Sequence, residues 1–496
     1  MVALALSALI VLSAPRPTVA VLPPTPTGEA ETWVGLAVAD NVYSRLLVHS
    51  RFDPKTLERL YPLNVFSWRQ ALSAARSEGI KTGAAVTKAD QKRLLRSLGA
   101  DRLWSGTYRV DNGGVTLTWS LFDGKSGKAQ TAKLQLDKLA EASEGLAGAI
   151  LNALGQDPKR LGGHRLRDLP LAAMRPYGQA LEIMKTQSMD PRAKVVLPPE
   201  ELARAYLLLT AATDASPTFV RAWVERGMVS TMTGHRERSE EELVQAVAHA
   251  GEFDPSNALG LYYMYATREK SADAIRVLEE ATSTHLGFLH GTGYLGQAYA
   301  RSGANYKALE IFTQYHARVP KSPWARRQRA RALGAIGKHD LAVEESKKIL
   351  SDFPESLAAA ANLAARLIDA KIYPEARSVL EKAMAQHSNH PSLIARLATV
   401  EIESGEPAAA LELAQRAVTQ LGAGRGEALA GYAHLTLAHA LGLAGKDKEA
   451  YAAMKKALAL GITAEDRLML IRDKRLRKLL QNPRSPIHYE GQGHSH

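Results

Sequence analysis

Alanine recurs every 34 residues through the middle of the chain, and this spacing constrains the fold more than any other feature of the sequence. The series is Ala274, Ala308, Ala342, Ala376 and Ala410. A second series, twelve residues earlier in each period, consists of Tyr262, Gly296, Ala330, Ala364 and Ala398. A fixed period of roughly 20 to 50 residues is typical of stacked repeats, in which each unit buries its apolar face only against its neighbours. The period therefore predicts a solenoid of helical hairpins rather than several independent globular domains.

The residues around these two series resemble a known repeat. The second helices continue with Leu278, Phe312, Ser346, Leu380 and Ala414, and two units end at Pro320 and Pro354. A small residue in the first helix, an alanine in the second, an apolar residue four positions on and a proline at the turn resemble the tetratricopeptide repeat. We expect about eight hairpins over residues 172–464, a capping helix over 465–482 and a disordered tail over 483–496.

The first third of the chain lacks this period and has the pattern of a small α/β domain. Thr18-Val-Ala-Val-Leu22 is a β-branched run that predicts a buried strand, ended by Pro23. Apolar residues at helical spacing predict a helix over 33–49, and Thr87 is the N-cap candidate of another helix. Asn112-Gly113 lies between two strand-like segments and predicts a tight hairpin.

Part of this domain resembles a known bacterial family. The string is Leu98-Gly-Ala-Asp-Arg-Leu-Trp-Ser-Gly-Thr-Tyr108, followed by Asn112-Gly113 and by Leu121-Phe-Asp-Gly-Lys-Ser-Gly127. It is similar to the TolB-amino-terminal-like domain, and the likeness covers most of residues 17–155, although Pro24 stands where the family has an aromatic residue. The resemblance implies a small α/β interaction or accessory domain without catalytic residues.

The expected fold class is therefore α+β and multidomain. A small α/β domain over residues 15–155 is joined by a linker, residues 156–171, to an all-α superhelical solenoid of tetratricopeptide type.

An uncharged apolar run, residues 2–14, precedes the first predicted strand. It is shorter than the about 20 residues that a membrane-spanning helix needs. The run matches the apolar region of a secretory signal, although no Lys or Arg precedes it. We therefore expect residues 1–14 to direct export to the periplasm or out of the cell, with a cytoplasmic protein as the alternative.

The chain contains no cysteine among its 496 residues. It therefore has no disulfide framework, thiolate metal site or cysteine nucleophile. The sequence also lacks the His-Glu-x-x-His, Gly-x-Ser-x-Gly, phosphate-loop and dinucleotide-binding motifs. These absences predict a non-catalytic protein that uses no cofactor and no metal.

The formal net charge of +12 is partly concentrated at two places. Four arginines lie in one predicted repeat helix, between residues 326 and 331, and a second basic cluster spans residues 472–478. For the second cluster we expect a solvated face of the capping helix, with contact to acidic lipid or RNA as the alternative. The distribution favours acidic protein surfaces over nucleic acid as partners.

The tetratricopeptide resemblance implies that the first helix of each hairpin lines a concave groove. Three groove positions of one first helix are Trp324, Arg327 and Arg331. An aromatic edge beside two guanidiniums would hold an extended peptide with an acidic side chain or a terminal carboxylate through charge-assisted hydrogen bonds. Neighbouring groove positions are His290, Gln297, Arg301 and Tyr263. The alternative is a solvated helix face.

These features favour a non-catalytic scaffold of the bacterial cell envelope whose repeats hold protein or peptide partners within a larger complex. Two other classes stay open. One is a cytoplasmic signalling regulator built from the same two modules, and the other is an envelope enzyme whose site no motif reveals.

Overall fold

The computed structural model describes residues 17–28, 31–48, 63–156, 158, 169–187, 197–250, 255–285, 287–421, 427–460, 462 and 470–487. The chain divides into two compact units. The first runs to Ala332 without residues 190–194, and the second comprises those five residues and the chain from Leu333. The apolar run over residues 2–14 lies outside the described residues. None of the described helices combines the length and the apolar character needed to cross a membrane.

Among the described residues, six strands form one sheet in the amino-terminal part of the first unit. The strands are β1 (Thr18–Val21), β2 (Thr25–Pro26), β3 (Asn64–Phe66), β4 (Arg102–Asp111), β5 (Gly114–Phe122) and β6 (Gln130–Gln135). The order is β3-β1-β4-β5-β6, and β2 pairs with β4. Strand β1 runs parallel to both of its neighbours, whereas β4, β5 and β6 are antiparallel. The β-branched run in β1 is completely buried, which is typical of a strand inside a parallel sheet.

The β4–β5 hairpin forms where the Asn-Gly pair predicts it. Asn112 has a φ of 48° and Gly113 a φ of 78°, so both adopt the left-handed conformation that a two-residue turn of this kind requires. The register pairs Asp111 with Gly114 next to the turn.

Four helices pack with this sheet: α1 (Trp33–Val48), α2 (Trp68–Ser77), α3 (Lys88–Leu98) and α4 (Leu139–Ala153). Thr87 caps α3, as predicted, because its hydroxyl accepts a hydrogen bond from the backbone N–H of Asp90. Ser67 and Gln70 cap α2 reciprocally, each side chain accepting a hydrogen bond from the other residue's backbone N–H. The sheet and these four helices are called the amino-terminal module below.

The described part of the first unit continues with helices only. They are α5 (Leu171–Met184), α6 (Pro199–Ala215), α7 (Val220–Met232), α8 (Arg236–Ala250), α9 (Ser256–Thr267), α10 (Ser271–Thr284), α11 (Leu289–Arg301), α12 (Asn305–Arg318) and α13 (Pro323–Ala335). Consecutive helices pack in pairs, α5 on α6, α7 on α8, α9 on α10 and α11 on α12.

Small residues let the two helices of a pair approach. A Cβ atom added to Gly296 would lie 2.5 Å from Cε1 of Phe312, and one added to Gly227 would lie 2.7 Å from Cγ of Leu243. Each glycine precedes its large partner by the same number of residues, so Gly227 and Gly296 occupy equivalent positions in their repeats. Ala330 is the equivalent residue of α13, one period after Gly296.

The second unit consists of further helical pairs. Its helices are α14 (His339–Asp352), α15 (Leu357–Asp369), α16 (Tyr373–Gln386), α17 (Pro391–Ser404), α18 (Pro407–Leu421), α19 (Glu427–Leu443) and α20 (Asp447–Ala459). A buried apolar cluster that includes Leu363, Leu367, Leu380 and Leu393 holds α15, α16 and α17 together. The predicted fold class, a small α/β domain followed by a helical repeat solenoid, is confirmed.

The carboxyl-terminal cap of this unit is not one continuous helix within its described residues. Asp473 starts a short 3-10 turn (Lys474–Leu476), its side chain accepting a 2.9 Å hydrogen bond from the backbone N–H of Arg475, and α21 (Arg477–Gln481) follows. Leu476 and Leu480 pack in one cluster with α19 and α20. Ile487 is buried in the same cluster, so ordered chain extends into the stretch predicted as a tail from residue 483.

Candidate functional site

Three residues of the first unit occupy one position of the repeat. Arg221 of α7, His290 of α11 and Trp324 of α13 each stand six residues before the small residue of their helix, which is Gly227, Gly296 or Ala330. The tetratricopeptide resemblance places this position in the groove. We call these three residues the inner row, and the structure shows that two of them contact the amino-terminal module.

Arg221 binds the module through a buried carboxylate. Its Nη1 atom donates a 2.6 Å hydrogen bond to Oδ2 of Asp40 in α1, a 3.0 Å bond to the backbone carbonyl of Asp40, and a 2.8 Å bond to the hydroxyl of Ser44. The indole of Trp68 donates a 2.9 Å bond to Asp40 Oδ1, and the hydroxyl of Tyr177 donates a 2.9 Å bond to Oδ2. Asp40 therefore joins α1, α2, α5 and α7 at one point.

Arg69, in the first turn of α2, extends this contact. Its guanidinium lies over the ring of Trp68 at 4.4 Å and forms a 2.6 Å ion pair with Glu225 of α7. Burial raises the pKa of Glu225, and Arg69 acts in the opposite direction. The first turn of α2 thus lies against the same repeat helix that carries Arg221.

His290 is the inner-row residue of α11. Its ring lies 4.9 Å from that of Tyr294, and its Nδ1 atom is 3.5 Å from the hydroxyl of Ser67. Burial, assisted by the charge of Arg69, lowers the pKa of His290 to about 3. The imidazole is therefore neutral at physiological pH and forms part of the contact with the module.

The sheet edge and the end of α12 also meet. Arg318 donates a 3.2 Å hydrogen bond from Nε to the side-chain oxygen of Asn64 in β3, and Asn64 Nδ2 donates a 3.1 Å bond to the carbonyl of Arg318. Lys321 forms a 2.9 Å ion pair with Asp101 at the surface. A Cβ atom on Gly99, whose φ is 75°, would lie 2.3 Å from the backbone nitrogen of Ser322. The module therefore touches the repeats from α7 to the start of α13.

Trp324 and Tyr263, two of the predicted groove residues, lie in repeat packing. The ring of Trp324 is 5.1 Å from that of Tyr315 and 6.1 Å from that of Phe312, and a Cβ atom on Gly293 would be 3.1 Å from it. Tyr263 is buried in an apolar cluster with residues of α7. Tyr263 is buried, whereas Trp324 is partly buried and uses part of its ring in this packing.

Gln297 and Arg301 lie further along α11. The guanidinium of Arg301 lies over the ring of Tyr262 at 5.3 Å and donates a hydrogen bond to its hydroxyl. The second terminal nitrogen of Arg301, Nη1, and the side-chain oxygen of Gln297 are buried, and neither has a hydrogen-bond partner among the described residues. These two polar groups are incompletely satisfied within this part of the chain.

Arg327 is the most isolated cation of the predicted set. It is partly buried on α13, and burial alone lowers its pKa to about 10, so it stays charged at neutral pH. Within the described residues, no carboxylate offsets this effect. Arg331 lies one turn further along α13, also partly buried. Arg326 and Arg329 act on His316 of α12, whose pKa is lowered to about 4 by burial and, to a smaller extent, by the charges of these two arginines.

The module side of the contact was not predicted from the sequence, and two signals were available for part of it. Ser67-x-x-Gln70 is a capping-box pattern, and it precedes Leu72 and Ala75 at helical spacing from Trp68. These signals predict the helix α2 but not the repeat helix on which it packs. The pairing of Asp40 with Arg221 joins residues 181 positions apart, and no local pattern reports it.

Ser67 and His290 are the one pair in this contact that could suggest nucleophilic chemistry. The Ser67 hydroxyl accepts a 3.2 Å hydrogen bond from the backbone N–H of Gln70, which is the role of a helix N-cap. Ser67 is also buried. We therefore assign the pair a packing role. Across the described residues, no group of three or more His, Asp or Glu side chains is arranged to hold a metal ion.

Comparison with known proteins supports the repeat prediction. Residues 367–430 match the tetratricopeptide repeat family model, which confirms tetratricopeptide repeats in that stretch. No curated protein matches the chain. The resemblance of the module to the TolB-amino-terminal-like domain stays a prediction.

Solved structures with similar folds are distant in sequence. A tetratricopeptide repeat protein from Parabacteroides merdae is 18% identical, covers 53% of this chain and 99% of its own, and has a TM-score of 0.42. YrrB, described as a TPR protein with an unusual peptide-binding site, is 16% identical over 37% of this chain and 93% of its own, with a TM-score of 0.30. Yeast Tom70 is 13% identical, covers 63% of this chain and 66% of its own, and has a TM-score of 0.43.

Proposed function

We propose that this protein is a non-catalytic scaffold that binds protein or peptide partners through the first helices of its repeats. The observation that carries the proposal is Arg327, a partly buried guanidinium at a groove position that no carboxylate of the described residues neutralises. Placing a cation in a desolvated position costs free energy unless a partner compensates it. A ligand carboxylate is the simplest compensation.

The chemistry around Arg327 favours an acidic ligand. Arginine binds carboxylates through parallel charge-assisted hydrogen bonds, and a partly dehydrated guanidinium gains more from such a bond than a fully solvated one. Arg331 on the same helix and Arg301 on α11 add positive charge along the groove. We propose that an extended segment with Glu or Asp side chains, or a free carboxyl terminus, is the form of partner that binds here.

The experiment is a titration of the full-length protein with a peptide of about ten residues in which Glu and Ser alternate. Arg327→Ala and Arg331→Ala each lower its affinity, whereas Arg416→Ala leaves it unchanged, because Arg416 is exposed on α18, a second helix of the repeats. A peptide with Gln in place of Glu binds weakly to all four proteins. Equal affinity of the wild type and the Arg327→Ala variant for the acidic peptide overturns the proposal.

The cellular setting is a second part of the proposal. The apolar run over residues 2–14 supports export, and a scaffold with an accessory α/β domain suits a complex of the bacterial envelope. Fractionation of cells and mass measurement of the mature amino terminus test it. A cytoplasmic protein that keeps Met1 contradicts the envelope setting and favours the cytoplasmic regulator instead.

A further inference from the structure

We propose that the amino-terminal module is a reversible intramolecular ligand of the repeat groove. Its Asp40 carboxylate pairs with the guanidinium of Arg221 and so takes the place of an acidic partner. The inference rests on the proposed function, because it names the regulation of the same groove. It adds Arg221 to the groove cations and makes access to that cation depend on the position of the module.

The bond between Asp40 and Arg221 has the chemistry expected of a bound acidic ligand. An inner-row arginine donates to a carboxylate oxygen at 2.6 Å, and a second donation, to the side-chain oxygen of Asn41, holds the guanidinium in place. Both partners are buried, Arg221 at 6% and Asp40 at 8% exposure. A partner that needs Arg221 must therefore displace α1 and α2 from α7.

The contact at α7 is polar and incompletely satisfied. Arg69 Nη1, Glu225 Oε2 and Asn41 Nδ2 are buried without a hydrogen-bond partner among the described residues. A buried polar atom without a partner opposes the docked state, since the same atom is hydrated when the contact opens. Polar contacts of this kind between parts of one chain typically allow relative motion.

A second contact of the module, with α5, is apolar and gives it a permanent attachment. A Cβ atom on Gly178 of α5 would lie 2.6 Å from the ring of Trp33 in α1, so these two helices are closely packed. Within the repeats, Tyr177 of α5 packs on Phe219 at the start of α7, with ring centroids 4.6 Å apart. Opening is therefore expected as a rotation about the Trp33 end of α1, which keeps that end packed on α5 and moves both Asp40 of α1 and α2 away from α7.

Native-state hydrogen exchange of the full-length protein tests the inference without any ligand. The backbone N–H groups of α2 are expected to exchange at least tenfold faster than those of β4 and β5. Glu225→Gln, which removes the charge that Arg69 binds, speeds exchange in α2 by a further fivefold or more. Glu344→Gln, an exposed ion-pair variant in α14, leaves it unchanged. If Glu225→Gln folds poorly, Lys321→Ala replaces it as the test variant, because it removes the exposed ion pair with Asp101.

Exchange of α2 together with β4 and β5, at one rate and with no selective effect of either variant, overturns the inference.

A second experiment uses the Glu-Ser peptide. Its affinity is expected to rise at least threefold in whichever of the two variants loosens α2, because the competing carboxylate is released, and equal affinity in a variant that loosens α2 overturns the competition. If the peptide binds neither the wild type nor the variants, the proposed function fails and competition for Arg221 fails with it, whereas the exchange rates still decide whether the module opens.

Discussion

Arg221 and Asp40 form a buried ion pair with a 2.6 Å hydrogen bond, although 181 residues separate them in the chain. The pair joins the α/β module to the second pair of repeat helices. The module and the first repeats belong to one compact unit, and this pair is one of the contacts between them.

Arg221→Ala is expected to destabilise the first unit by about 3–5 kcal/mol, because it leaves the Asp40 carboxylate buried without its cation. The matched control is Arg109→Ala, which removes an exposed pair with Asp111 in the same module and is expected to change stability by less than about 1 kcal/mol. Urea unfolding, monitored by the fluorescence of Trp68, Trp104 and the other tryptophans, measures both values. Equal effects of the two variants would show that the buried pair contributes nothing particular to this unit.

Gly296→Ala tests the helix packing of the repeats. The new methyl group would lie 2.5 Å from Phe312, so the pair must separate, and we expect a loss of about 1–3 kcal/mol. Gly145→Ala in α4 is the control, since a Cβ atom there meets nothing within 4 Å and alanine favours the helix by up to about 1 kcal/mol. Thermal unfolding separates the two outcomes by the sign of the shift in Tm.

His290 gives the first unit a pH dependence. Its pKa is about 3 in the folded protein because of burial and the charge of Arg69, whereas an unfolded histidine titrates near 6.5. Below about pH 6.5 the unfolded state takes up a proton that the folded state does not, so stability falls as the pH decreases towards 3. The slope from this residue is at most about 1.4 kcal/mol per pH unit.

His290→Gln should therefore reduce the loss of stability between pH 7 and pH 5. His316, whose pKa burial lowers to about 4, keeps its own contribution in both proteins. Urea unfolding of the wild type and the variant at both pH values gives the difference. An identical pH dependence of the two proteins contradicts the assignment of a neutral, buried His290.

Asp473 should make the cap of the second unit sensitive to acid. Burial opposes its ionisation, but hydrogen bonds from His439 and Arg475 dominate and hold the pKa of this carboxyl well below its usual range. The stability that it contributes is present above about pH 4 and is lost as the pH falls further. In Asp473→Asn, residue 473 should no longer make the free energy of unfolding depend on pH in this range. Glu412→Gln, exposed on α18, should behave like the wild type. Hydrogen exchange in α20 and α21 at pH 5 and pH 3 reports the difference.

The sequence predicted the local elements better than the contacts between them. The Asn112-Gly113 turn, the Thr87 cap and the alanine period depend on neighbours within one turn or one repeat, and a single sequence displays such patterns. Trp324 was assigned to the groove from its position in the repeat. The structure packs it on Tyr315 because Gly293, on the neighbouring first helix, leaves room for its ring.

The contact between the inner row and the amino-terminal module could not be predicted from the sequence. Glu225, one turn from Arg221 on the same helix, indicates a local pair, but in the structure Glu225 pairs with Arg69 instead. Asp40 lies in a helix whose pattern is mainly apolar. Their meeting depends on how the whole module packs against α5 and α7. Long-range polar pairs of this kind leave no periodic signal in a single chain.

Photo-crosslinking of the acidic peptide gives the most direct test of the proposed scaffold. A peptide of alternating Glu and Ser that carries one photoreactive residue is irradiated with the full-length protein, and the crosslinked residues are identified by mass spectrometry. Crosslinks are expected in α11 and α13, close to Arg301 and Arg327, and are expected to disappear in the Arg327→Ala protein. Crosslinks confined to the second helices, such as α12 and α18, and unaffected by Arg327→Ala would contradict binding of the peptide in the groove.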